Sequence, residues 1–261
     1  MEECHMQCKV IVKDKLVVKK YETRDEMGAA ACVEAAECLR KMLAEKEEIN
    51  AIFAAAPSQN EFLAELSKAP GIDWNRVNAF HMDEYVGLRA DAPQGFGNFL
   101  KEHIFSLAPF KTVNYINGGA EDVDAECERY TALLKTHPVD VVFLGIGENG
   151  HIAFNDPHVA EFNDKATIKK VELDLVCRQQ QVNDGCFATL DDVPTHALTL
   201  TIPTLVSADY MFCMVPAATK ANAVKATVYG DISEVCPASI LREHKNATLY
   251  VDADSGVYLE D

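Results

Sequence analysis

Residues 141 to 157 read VVFLGIGENGHIAFNDP, which places an amide, an imidazole and a carboxylate (Asn149, His151 and Asp156) within eight positions. A histidine whose neighbours can fix its tautomer and shift its proton affinity suits general acid/base chemistry. Asp83 and Glu84, which follow the apolar run 77–82, add a carboxylate pair from which a proton-abstracting base can be drawn. A third cluster, Ala54 to Asn60, is a small-residue turn in which Ser58 or Asn60 could cap a following helix, and free N–H groups at such a start suit an anion. Taken singly, these also read as a turn-capping histidine, solvated acids and an ordinary helix cap. Their convergence is what points to chemistry.

The elements that must carry these side chains alternate between strand-like and helix-like runs. Val141 to Leu144 is a short continuous apolar segment with β-branched residues, as expected of a strand buried on both faces of a parallel sheet. Gly145, Gly147 and Gly150 then free the backbone for a tight loop at its carboxyl end, where open α/β sheets bind ligands. Ile49–Ala55, Val77–Met82, Thr112–Ile116, His196–Ile202, Tyr210–Val215 and Thr248–Val251 read as further strands, and Lys9–Val12 with Leu16–Lys20 as a hairpin turning at Asp14. Helices are expected over 25–48, from the Pro57–Asn60 turn to Leu66, and over 95–106, 120–135 and 217–229; the polar stretch 158–193 has no clear pattern. Strand alternation sends Asp83 and Glu84 to opposite sides, so only one of them can share a cleft with His151. The pattern predicts an α/β fold: a single domain over 1–261 with one doubly wound, mostly parallel, Rossmann-like sheet and helices on both faces.

Composition narrows the partners. A formal charge of −17 argues against sequence-independent binding to nucleic acid or to an anionic membrane, both of which need clustered Lys and Arg. No apolar run reaches the length of a membrane span and no signal-peptide core opens the chain, so a cytoplasmic location is expected. The nine cysteines contain no CxxC pair and read as reduced thiols. Cys4, His5 and Cys8 lack the second ligand pair of a zinc site, and neither metal nor redox cofactor is expected.

Met82 to Leu88 (MDEYVGL) together with Gly145 to Pro157 (GIGENGHIAFNDP) closely resembles the glucosamine-6-phosphate deaminase (isomerase) family, and the order of elements fits from about residue 20 to 252. The resemblance implies an aldose-ketose isomerisation with loss of ammonia, taking glucosamine 6-phosphate and water to fructose 6-phosphate and ammonium. It implies that Asp83 moves a proton between C2 and C1 through an enol-type intermediate and that His151 opens the pyranose ring, oriented by Asn149 and Asp156. It makes Ser58, Asn60, Glu84, Tyr85, Gly147 and Lys220 the expected substrate-binding residues, with Lys220 on the phosphate. The expected partner is thus a phosphosugar, with no nucleic acid and no membrane; a homo-oligomer is left open.

The chain departs from the family pattern in three places. Ala56-Pro57-Ser58-Gln59 stands where the family has a Gly-Gly-Thr-Pro type turn, and Pro57 removes an N–H donor. Gly185 aligns where many relatives carry a phosphate-clamping arginine; Arg178, one or two helical turns upstream, is the candidate replacement. Asn149 and Asp156 stand for Asp and Glu. A 6-phosphogluconolactonase and a sugar-phosphate-binding regulator without catalysis are the competing readings.

Overall fold

The structure, a computed structural model, describes residues 8–260. Cys4 and His5 lie outside them. The strands are β1 (Lys9–Lys13), β2 (Leu16–Lys20), β3 (Ile49–Phe53), β4 (Val77–His81), β5 (Asp83–Tyr85), β6 (Thr112–Asn114), β7 (Val141–Leu144), β8 (Ile168–Glu172), β9 (His196–Leu200), β10 (Tyr210–Val215) and β11 (Ala247–Val251). The α-helices are α1 (Arg24–Glu45), α2 (Asn60–Leu66), α3 (Phe96–Leu100), α4 (Val123–Thr136), α5 (Leu175–Asn183), α6 (Ile202–Val206) and α7 (Ala221–Tyr229).

Eight strands form one sheet in the order β1-β2-β11-β10-β7-β3-β4-β6, parallel throughout except for the β1–β2 hairpin. Every residue of β3, β4 and β7 is buried, which is why they read as nearly unbroken apolar runs. Alternation splits them between two cores. Phe53, Val141 and Phe143 pack with Met27, Leu39 and Phe62 of α1 and α2 on one face. Ile52, Val142 and Leu144 pack with Tyr130, Leu205 and Val224 of α4, α6 and α7 on the other. From β3 the chain winds outward through β4 to β6, then returns to β7 and winds the other way through β10. The crevice where the direction reverses opens at the carboxyl ends of β3 and β7.

One feature of the architecture was not expected. There is a second, three-stranded antiparallel sheet, β5-β9-β8, and the strand read over Val77 to Met82 is followed at once by another, unread one. β4 ends at His81, the chain steps past Met82, and Asp83 opens β5 opposite Thr199. β5 is three residues long and β8 is mostly polar, so neither carries enough periodicity to be read alone.

Across β5 the side chains diverge. The Glu84 carboxylate accepts N–H bonds from Tyr85 (3.0 Å), Phe96 (3.0 Å) and Gly97 (2.9 Å), pinning the first turn of α3 to the sheet. Tyr85 is buried against Phe96, Phe154 and Phe187. Removing the acceptor in Glu84→Ala leaves three N–H groups to find new partners and is expected to cost about 3 kcal/mol in urea unfolding. A loss below about 1 kcal/mol would contradict the clamp.

Candidate active site

Four neighbouring parallel strands, β10, β7, β3 and β4, end on one rim, and the segments leaving them enclose a cleft of about 120 Å³. Asp83 follows β4, Ala54 to Ser58 follow β3, Gly145 to His151 follow β7, and Pro216 to Lys220 follow β10, all lining this cleft. Its walls include the apolar side chains of Met82, Ile146, Phe96 and Phe154.

Asp83 is 6% exposed, and none of the described residues donates a hydrogen bond to its carboxylate. Burial, and then the nearby Glu84 charge, push its proton affinity well above the ordinary carboxylate range. An ionised carboxylate here has no hydrogen-bond donor among the described residues and is poorly exposed, which makes it a stronger base than a surface carboxylate.

His151 is held from behind. The Asn149 amide donates through Nδ2 to Asp156 Oδ1 (2.9 Å) and to Asp174 Oδ2 (3.1 Å), which only its NH₂ end can do. That orientation turns Oδ1 toward His151, 2.8 Å from Nδ1 and 3.1 Å from the His151 N–H. Because Oδ1 can only accept, Nδ1 carries the hydrogen, which also lies toward Asp156 Oδ1 at 3.0 Å. Nε2 is therefore the free basic nitrogen. Burial alone would raise the Asp156 carboxyl, but the hydrogen bonds from His151, Asn149 and the Asp174 N–H outweigh it and hold it below its ordinary value. Asn149 carries no charge, yet an imidazolium here is met by Asp156 directly. Gly147 makes the fit: a Cβ there would sit 2.1 to 2.3 Å from the ring atoms of His151.

At the other end of the cleft, Lys220 is 6% exposed, and its ammonium makes no hydrogen bond or ion pair with any described residue. Burial lowers its proton affinity, and Asp184 and Glu148 partly restore it. Ala217, three residues earlier, holds φ at +85°, a conformation that costs a residue with a Cβ strain and is tied down by the bond from its N–H to Asp252 Oδ2 (3.0 Å). The Gln59 amide donates to Leu144 O (3.3 Å), Met214 O (3.3 Å) and Ser58 Oγ (3.0 Å), knotting three strand ends together. With its oxygen accepting from Gln59, the Ser58 hydroxyl hydrogen is free for an anion.

Of the residues expected from sequence, Asp83, His151, Ser58, Gly147 and Lys220 share the cleft, with Asn149 and Asp156 directly behind His151. Glu84 and Tyr85 do not line it: alternation turns Glu84 to the clamp on α3, and Tyr85, although on the same side of the strand as Asp83, is packed into the aromatic cluster of Phe96, Phe154 and Phe187. Asn60 is not in it either. Residues 57–59 form a 3-10 turn that runs into α2, and neither Ser58 nor Asn60 caps the helix by its side chain. Arg178 is turned away as well, its Nη2 donating to Leu190 O (2.7 Å) and Val193 O (2.9 Å). Sequence reasoning missed Arg24, Gln59, Asp174, Gln180, Gln181 and Asp184. Asp174 was detectable, since an acid three residues before Cys177 has N-cap spacing and does accept its N–H at 2.6 Å. Arg24 has no local signal.

Among the described residues, His151, Asp156 and Cys177 bring ligand atoms within 4.8 Å of one another, as do Asp156, His158 and Asp174. In the first trio His151 and Asp156 already use their facing atoms on each other, and burial, then Asp156 and Asp174, keep the Cys177 thiol protonated. That group supports the imidazole rather than presenting a donor set to a metal.

A profile of the family described as glucosamine-6-phosphate isomerases/6-phosphogluconolactonase matches residues 22–250. The glucosamine-6-phosphate deaminase of Bacillus cereus (strain G9842) is 35% identical over 240 residues, spanning 92% of this chain and 87% of that one. The chain belongs to this family. The Bacillus thuringiensis (strain Al Hakam) deaminase matches at the same 35% over the same shares. Within the family, a solved monomeric glucosamine-6-phosphate deaminase superposes with a TM-score of 0.82 at 28% identity, covering 92% of this chain and 98% of that one. A 6-phosphogluconolactonase from Thermotoga maritima shares the fold, with a TM-score of 0.75 at 20% identity over 91% and 100% of the two chains.

Two outcomes follow from this geometry. Gly147→Ala should fold normally but displace the imidazole, lowering kcat at least about a hundredfold for any reaction that needs His151 as acid or base; a near-normal kcat would detach the ring from the chemistry. Asp83 has a folded-state pKa above its unfolded value, so its ionised form opposes folding at neutral pH, and that opposition vanishes below about pH 4. Asp83→Asn should therefore melt higher than the wild type at pH 7, with the gap closing as the pH is lowered. An equal or lower melting temperature at pH 7 would contradict an unpartnered buried charge.

Proposed function

We propose that this protein is a glucosamine-6-phosphate deaminase, converting glucosamine 6-phosphate and water to fructose 6-phosphate and ammonium. The observation that carries the reading is one cleft with an unpartnered buried carboxylate, Asp83, beside an imidazole whose Nε2 is left free, and an unpartnered buried ammonium, Lys220, at its other end. Asp83 and Lys220 have no side-chain partner among the described residues, and His151 is held only through Nδ1 and its backbone N–H. Family membership and the named deaminases at 35% identity support the same reaction.

The chemistry divides between the two ends. His151 takes the proton of the C1 hydroxyl on Nε2 and returns one to the ring oxygen, opening the pyranose, while Asp156 balances the passing imidazolium charge. Asp83 removes the proton at C2, made acidic by the adjacent carbonyl, the electron pair forms the C1–C2 double bond, and O1 takes up a proton given by the substrate's own ammonium, which gives an enolamine. Returning the C2 proton to C1 leaves an iminium at C2; water adds there, and ammonium departs as the C2 carbonyl forms. The apolar walls raise the basicity of Asp83, and Lys220 with Ser58 holds the phosphate so that C2 stays within its reach. Gly147 closes the contact behind His151.

A lactonase of the same fold has no observation of its own in its favour. The base at Asp83 is what an isomerisation needs, and lactone hydrolysis does not call for proton transfer between two carbons. No described helix is long and apolar enough to cross a membrane, and the eight described cysteines are all unpaired thiols, which supports a reducing, cytoplasmic setting.

Ammonia release with fructose 6-phosphate formation from glucosamine 6-phosphate is the direct test. Asp83→Asn is expected to lower kcat by about a thousandfold or more, with the fold retained. Hydrolysis of 6-phosphogluconolactone without ammonia release from any hexosamine 6-phosphate would overturn the assignment. The pH profile adds a check. The acid limb of kcat/KM should fall at a pH above the ordinary carboxylate range, because burial raises the Asp83 proton affinity and only its ionised form can abstract a proton.

A further inference from the structure

The anion end of the cleft is short of positive charge. A phosphate monoester carries close to two negative charges at neutral pH, whereas Lys220 supplies one positive charge and Asp184 lines the same space. Gly185 has no side chain to offer, and Arg178 does not line the cleft, its Nη2 being held by the carbonyls of Leu190 and Val193. The turn is weakened too, since Pro57 has no N–H. One other permanently charged cation among the described residues faces this cleft, and it comes from an unrelated part of the chain: Arg24, at the first turn of α1.

Its guanidinium is fastened to the turn that would hold the anion. Nη2 donates to Pro57 O (3.0 Å) and to Glu61 Oε2 (2.8 Å). Nε lies 2.8 Å from Glu61 Oε1 but is not aligned to donate to it, so it remains a buried donor without a hydrogen bond, and Nη1 has none either. A guanidinium can donate five hydrogen bonds, and a buried donor left unused costs free energy. Glu61 and the Pro57 carbonyl thus hold the group against the Ala56–Ser58 turn by its Nε and Nη2 side, and Nη1 is left without a hydrogen bond.

Building on the assignment of a phosphosugar substrate, we propose that Arg24 is a substrate-binding residue that shares the phosphate with Lys220 and Ser58, Glu61 serving as its tether. The substrate's phosphate thereby bridges α1, the turn after β3 and the segment after β10. Planar paired donors suit phosphate oxygens. Arg24 touches only the distal group, so its contribution is to binding and not to the proton transfers at C1 and C2.

The test compares Arg24→Gln and Arg24→Lys with the wild type in ammonia release and, separately, in binding inorganic phosphate, read as the rise in melting temperature against chloride at matched ionic strength. Arg24→Gln should raise KM for glucosamine 6-phosphate about tenfold to a hundredfold and leave kcat within about threefold. It should lose most of the phosphate-dependent rise in melting temperature and leave any slow turnover of unphosphorylated glucosamine unchanged. Arg24→Lys should fall between. An unchanged KM and phosphate response in Arg24→Gln overturns the proposal while leaving the deaminase assignment standing; so does an equal loss toward glucosamine, which a merely structural role would produce. Arg24-dependent phosphate binding by a protein that releases no ammonia keeps the proposal and removes the reaction. A wild type that does not bind phosphate removes the proposal. Should Arg24→Gln not fold, Arg24→Lys decides: a several-fold rise in KM at constant kcat supports the role, and no change overturns it.

Discussion

The interaction on which the site depends is the forced orientation of the Asn149 amide. Two carboxylates, Asp156 and Asp174, can only be met by its NH₂ end, so its oxygen must face His151 and the imidazole hydrogen must sit on Nδ1. Nothing in the cleft itself sets this. The decision is made one layer back, by a helix cap at Asp174 and a fully buried Asp156, and it delivers a free Nε2 at the surface where a sugar would lie. A neutral residue between two acids therefore orients the ring without placing another negative charge against it.

The sheet makes the arrangement inexpensive to assemble. Four parallel strands with both faces buried stop at one rim, so the loops that follow them converge without long connections. Gln59 then ties the ends of β7 and β10 to the turn after β3, fixing the spacing between the proton-transfer groups and the anion end. The exposed surface can remain strongly acidic because the cations that matter are inside the cleft. Steering an anionic substrate toward such a surface is opposed at long range, and capture relies on groups that act only at contact.

Much of this was legible in the chain. The buried strands announced themselves as apolar runs, and the glycine-spaced loop after β7 announced its own tightness. The motif pair pointed to Asp83 and His151, and strand alternation allowed only one of Asp83 and Glu84 into their cleft, although Glu84 was also expected to bind substrate. Of the second sheet only β9 was legible, within the run His196–Ile202; β5 is too short and β8 too polar to carry a period, and both depend on pairing with β9, which is distant from them in sequence. Asn60 looked like a cap because the 3-10 turn at 57–59, which makes a side-chain cap unnecessary, leaves no trace in composition. Arg24 was invisible for a related reason. Its significance lies in the packing of α1 beside the turn after β3, a contact between segments more than thirty residues apart.

The division of labour across β5 has a further consequence. Asp83 and Glu84 are chemically near twins, and what puts one in the cleft and the other against α3 is whether its position is odd or even along the strand. The molecule thus stores the difference between reactivity and support as parity. A single-residue insertion between β4 and β5 would conserve every residue type and yet exchange the two surroundings, so the length of this segment is constrained as tightly as its composition.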